Sequence, residues 1–78
     1  MIKAYVLIVT SPGTTRRVAL ELRGLPGISE VNEVMGPYDV VAELETDSLT
    51  DVPPILADTI RTMDGIHSTT SLVAFPAN

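Results

Sequence analysis

Apolar and polar positions fall into alternating blocks along this chain of 78 residues. Residues 2–9 (Ile-Lys-Ala-Tyr-Val-Leu-Ile-Val) are apolar at odd and even positions alike and rich in β-branched side chains. A strand apolar on both faces is covered on both sides, so this block predicts a central strand. Thr10-Ser11-Pro12-Gly13 is a turn cluster. Over about 14–24 the period lengthens. Val18, Leu22 and Leu25 recur at i, i+4 and i+7 with Ala19 beside them, while Arg16, Arg17, Glu21 and Arg23 take the other face. That spacing predicts an amphipathic helix, closed by Gly24 and Pro26-Gly27. Residues 28–35 form a more polar strand, expected at a sheet edge. Gly36-Pro37-Tyr38-Asp39 is a turn, and residues 39–45 alternate strictly, with Val40, Ala42 and Leu44 on one face and Val41, Glu43 and Glu45 on the other. After a Thr-, Asp- and Ser-rich loop from Thr46 to Thr50, a second helix is expected over about 52–63, with Leu49, Val52, Leu56, Ile60 and Met63 as its stripe. Pro53-Pro54 belongs in its first turn, where missing N–H groups cost little. Because the residue before a proline avoids the α region, the clean helix is expected to begin at Pro54. Gly65 ends it, and residues 66–75 form the last strand, stopped by Pro76.

The predicted order is β-α-β-β-α-β. The helix end, glycine and strand start of Leu22-Arg23-Gly24-Leu25-Pro26-Gly27-Ile28 recur in Ile60-Arg61-Thr62-Met63-Asp64-Gly65-Ile66. Two β-α-β units with right-handed crossovers predict an α+β, ferredoxin-like plait: a four-stranded antiparallel sheet with both helices on one face. The other face is then bare. It offers one apolar set of the first strand, Val41, and either Leu72 with Ala74 or Val73 with Phe75. An apolar second face calls for a partner, and a two-fold dimer packed sheet on sheet, a dimeric α+β barrel, is the simplest closed solution.

Composition narrows the picture. Without cysteine there is no disulfide framework, thiolate zinc site or cysteine nucleophile. Five Lys and Arg against ten Asp and Glu, a net charge of −5, argue against direct nucleic-acid binding. Two Tyr, one Phe and no Trp argue against an RNA-stacking sheet. The apolar run Ala4–Val9 falls far short of the roughly 20 residues that span a bilayer, and no targeting segment is evident, so the expectation is a cytoplasmic protein without membrane contact. Cores of this size rarely supply more than about 3–5 kcal/mol, so oligomerisation is the expected staple.

No catalytic constellation emerges. His67 is the sole histidine and has no Cys partner, which reads as a surface or interface residue. Asp47 and Asp51 lie in a loop and near a helix start, where Asp commonly caps. Glu43 and Glu45 share a strand face and read as a solvated rim rather than an acid–base pair. The inner surface between helices and sheet reads as fully apolar, which weighs against a small barrel monooxygenase. Two stretches stand out. The turn Gly36-Pro37-Tyr38-Asp39 puts a rare aromatic and a carboxylate between two strands, where Asp39 can accept an ammonium group. Ser68-Thr69-Thr70-Ser71 places four hydroxyls in a row, to bond either a ligand or a neighbouring subunit.

Gly-Pro-Tyr-Asp after an edge strand, Leu-Pro-Gly-Ile before it, and Asp-Gly-Ile-His-Ser-Thr-Thr before the last strand resemble the effector domain of the Lrp/AsnC transcription regulators. This is the RAM domain, for regulation of amino-acid metabolism. The resemblance runs from Ile2 to Phe75 and implies a non-enzymatic, amino-acid-binding regulatory module without cofactor or metal. It implies sheet-to-sheet dimers that assemble into rings of eight or ten subunits, with an amino acid held in clefts between dimers. Carried over by position, the ligand residues would be Gly36, Pro37, Tyr38 and Asp39 from the turn and Thr69, Thr70 and Ser71 from the last strand. The family's usual helix-turn-helix has no counterpart before the first strand, so a single stand-alone effector domain over 1–78 is expected, acting alongside a related DNA-binding regulator. A purely structural oligomerisation module is the alternative.

Overall fold

A computed structural model describes residues 2–75, with the side chain of Ala57 left aside. The order is β1 (Ile2–Thr10), α1 (Thr15–Arg23), β2 (Ile28–Glu33), β3 (Val40–Thr46), a composite helix α2 (49–60) and β4 (Ile66–Ala74). The antiparallel sheet runs β2-β3-β1-β4, so β1 and β3 are central and the polar β2 lies at an edge.

Register assigns the two faces. Ala4, Val6 and Ile8 pair with Leu44, Ala42 and Val40, and all six are fully buried under the helices. Val18, Ala19 and Leu22 of α1 complete the core with Val52, Leu56 and Ile60 of α2. Val73 packs against this cluster and pairs with Ala4. It is therefore Val73, and not Leu72, that faces inward on β4. In β2 an extra residue at Ser29 shifts the register between Ile28 and Glu30. The shift breaks simple alternation and turns both Ile28 and Val31 towards the core.

The second helix departs from expectation at both ends. It starts earlier, as a 3-10 turn Leu49–Asp51, continues through an α turn Val52–Pro54, and becomes a π-helical stretch Ile55–Ile60. Ser48, not an aspartate, supplies the cap: its Oγ accepts the Thr50 N–H at 3.3 Å. Val52 is helical (φ −68°, ψ −51°) despite the following proline, and Pro53 and Pro54 complete the α turn that it opens. The helix ends at Ile60, and Met63 N–H folds back onto the Ile60 carbonyl. β2 stops at Glu33, two residues early, because the Val34 N–H turns to the Asp39 carbonyl at 2.9 Å.

The repeated corner is real. Gly27 (φ +86°) and Gly65 (φ +96°) both occupy the left-handed region just before a strand. At Gly65 a Cβ would lie 2.7 Å from Arg17 Nη2, the movable end of a flexible side chain, so the positive φ more than lack of space calls for glycine there. Pro76, the expected stop of β4, lies outside the described residues.

Candidate ligand site

The turn between β2 and β3 is tied to the end of β1. Asp39 N–H donates to the Ile8 carbonyl at 2.8 Å. Its carboxylate accepts twice from Thr10, from the N–H at 2.8 Å and from Oγ1 at 3.2 Å, both at Oδ2. Among the described residues Oδ1 has no hydrogen-bond donor. Asp39 is half-buried, like Tyr38, whereas Gly36 and Pro37 are exposed. Val34 and Met35, just ahead of the turn, are exposed too, Met35 completely.

On β4 the hydroxyl row splits by parity. Thr69 pairs with Ile8 and Ser71 with Val6, on the helix-covered face; Thr70 pairs with Leu7 on the bare face. One chain thus does not bring the three together on one surface. Asp39 and Thr69 flank the same end of β1 from opposite sides, two strand spacings or roughly 10 Å apart. Ser71 Oγ is buried and has no hydrogen-bond partner among the described residues. With Thr10, 7% exposed, it shows that the inner surface is not fully apolar. A polar seam runs along it at the β1–β4 side.

Thr10 and Thr15 escaped the sequence reading. Their hydroxyls lie 2.7 Å apart, joining the end of β1 to the first turn of α1. Parity held a signal, since Thr10 follows Ala4, Val6 and Ile8 on the inward face.

The remaining candidates take structural roles. Lys3 pairs with Glu43 at 3.2 Å and Glu45 at 3.8 Å across β1 and β3. The Glu43 carboxylate, by hydrogen bond and then by charge, raises the Lys3 ammonium above its ordinary pKa. His67 is exposed on β4. Among the described residues no three His, Asp or Glu side chains converge as metal ligands. A concavity of about 490 Å³ lined by Pro26, Gly27, Glu45, Thr46, Asp47, Asp51 and Ile55 contains none of the turn or β4 residues.

The bare face carries Tyr5, Leu7 and Val9 of β1 beside Val41 of β3 and Leu72 of β4, with Lys3, Glu43 and Glu45 at one end and Ser68 and Thr70 at the other. Leu72 is 51% exposed there. No helix among the described residues is long and apolar enough to cross a membrane.

Comparison with known proteins agrees with this architecture. An uncharacterized HTH-type transcriptional regulator of Pyrococcus abyssi is 29% identical over 75 residues, covering 92% of this chain and 50% of the relative. The chain therefore spans about half the length of the curated relatives it matches. The crystal structure of a Thermus thermophilus protein superposes with a TM-score of 0.93 at 31% identity, covering 100% of this chain and 98% of that one. A Neisseria meningitidis transcriptional regulator, solved as an L-Met complex, shares the fold at a TM-score of 0.84 and 14% identity, over 96% of this chain and 50% of that one. Residues 3–77 match the profile of the Lrp/AsnC ligand binding domain. With that match over nearly the whole chain and the same fold, this chain belongs to the Lrp/AsnC ligand-binding domain family.

Proposed function

We propose that the chain is an amino-acid-binding, oligomerising effector module that modulates transcriptional regulation of amino-acid metabolism. It works without catalysis, alongside a related DNA-binding regulator. Its dimers pack sheet on sheet through the apolar face around Tyr5, Leu7, Val9, Val41 and Leu72. Dimers join into a ring, and the amino acid sits in the cleft between them. Gly36, Pro37, Tyr38 and Asp39 line it from the turn and Thr69, Thr70 and Ser71 from β4, the two faces of β4 being supplied by different subunits. The observation that carries this reading is the state of Asp39. One carboxylate oxygen is committed to Thr10 and the other is without a donor among the described residues, which leaves an acceptor for the ammonium group common to all amino acids. The ligand acts by linkage: it binds the assembled state better and draws the equilibrium towards it.

The test is a thermal-shift panel of the twenty amino acids, with light scattering on the same samples. At least one amino acid is expected to raise the melting temperature and shift the mass distribution. Asp39→Asn retains an oxygen for Thr10 and removes the charge, so it abolishes the ligand response while the unliganded protein stays folded. No response to any amino acid, or the same response in Asp39→Asn, overturns the assignment. An assembly of unchanged mass without any ligand response is the signature of a purely structural oligomer.

A further inference from the structure

The two parts of the candidate site are some 30 residues apart in sequence and lie on opposite sides of β1. Hydrogen bonds at the end of β1 tie the turn to the first turn of α1, and the loop before α1 is tied in turn to the corner that opens β4. Thr10 Oγ1 has one proton, and its contact with Asp39 Oδ2 at 3.2 Å uses it, because a carboxylate only accepts. The 2.7 Å contact between Thr10 Oγ1 and Thr15 Oγ1 is then donated by Thr15. All donors along the chain point towards the Asp39 charge, an arrangement in which each bond polarises and strengthens the next. Beyond Thr15 the loop is anchored to the corner that opens β4. Ser11 N–H donates to the Gly65 carbonyl at 2.8 Å, and Thr14 Oγ1, which donates to the Ser11 carbonyl at 2.7 Å, lies 3.3 Å from the same Gly65 oxygen. Arg17 Nη2 donates to the neighbouring Asp64 carbonyl at 3.2 Å. Thr10 is 7% exposed, whereas its partners Asp39 and Thr15 are half-buried.

We propose that Thr10 and Thr15 are positioning residues of the ligand site: through Asp39 they hold the Gly36–Asp39 turn in place and couple it to the first turn of α1 and the start of β4. Neither contacts the ligand. The inference rests on the ligand reading given above for its functional meaning, but its structural part stands or falls separately.

Amide hydrogen exchange, read residue by residue by NMR on the protein alone, tests the structural part. The reporters are the Thr10 and Asp39 amides, with Val6 and Ala42 in the core as references. Thr10→Val and Thr15→Val remove one hydroxyl each and keep the side-chain shape. Both are expected to speed exchange of the reporters about fivefold, the worth of one intramolecular hydrogen bond, with the core amides unchanged. Thr10→Ser and Thr15→Ser restore slow exchange. Unchanged reporters, an equal rise at Val6 and Ala42, or failure of the Ser variants to rescue overturns the proposal. In the panel of twenty amino acids, the Val variants are expected to weaken half-saturation by a similar factor and the Ser variants to leave it near wild type. A wild-type protein that responds to no amino acid sinks the ligand reading alone, and the exchange experiment still decides whether Thr10 and Thr15 position the turn.

Discussion

The two faces of β1 are built from similar residues and meet different fates. Ala4, Val6 and Ile8 are fully buried. Tyr5, Leu7 and Val9, one step along the same strand, are only half-buried. Composition does not separate them. What separates them is that both crossover helices lie on the same side of the sheet, so the chain can cover only one face of a strand that is apolar on both. The buried face stabilises the subunit, and the half-buried face stores burial that a second subunit can complete.

The largest expected effects come from cutting into each face in turn. Ile8→Ala should cost about 2–5 kcal/mol of folding stability, because it empties a fully packed position. Chemical denaturation measures it. Leu7→Ser should cost the isolated subunit far less and instead shift light scattering towards the monomer. Equal losses of subunit stability, or an unchanged mass for Leu7→Ser, would erase the distinction between the faces.

A smaller effect sharpens the comparison on the inner face, where Ser71 leaves a buried hydroxyl unpaired among the described residues. Ser71→Ala should leave folding stability unchanged or raise it by up to about 1 kcal/mol, since an unsatisfied polar group is removed. A clear loss in a thermal melt would mean that the hydroxyl has a partner. The smallest effect belongs to the rim of the outer face. Lys3 has a folded pKa above the ordinary lysine value because of Glu43. Its contribution is therefore fully present below the unfolded lysine pKa and is lost as pH rises through the raised one. The protein should show a slight loss of stability in the alkaline range that Lys3→Met lacks. A matching alkaline loss in Lys3→Met would assign it to other groups. Lys3 is too exposed for a large effect.

Much of the architecture is legible in particular residues. The double-faced run from Ala4 to Val9 reads as a central strand, the polar Ile28–Glu33 segment as an edge, and Val40, Ala42 and Leu44 as one inward row. The Gly-Ile corners announce the repeat. The composite character of α2 is not legible in this way. Ser48, two prolines and the packing of Val52, Leu56 and Ile60 act together there, and each taken alone is compatible with an ordinary helix. The turn Gly36–Asp39 stands out by composition, but its tie to Thr10 involves residues 29 apart in sequence, beyond any local rule.

By itself the sequence determined the order of elements, the inward row of the central strands and the presence of a second apolar face, since side-chain periodicity and turn chemistry are local. The tertiary structure alone decided which parity of β4 faces the core, that Asp39 commits one oxygen to Thr10, and that the Ser71 hydroxyl is buried without a partner among the described residues. Those outcomes depend on register and on which side of the sheet the helices occupy. Both are settled when distant strands pair, because a one-residue slip would turn every side chain of a strand to the opposite face.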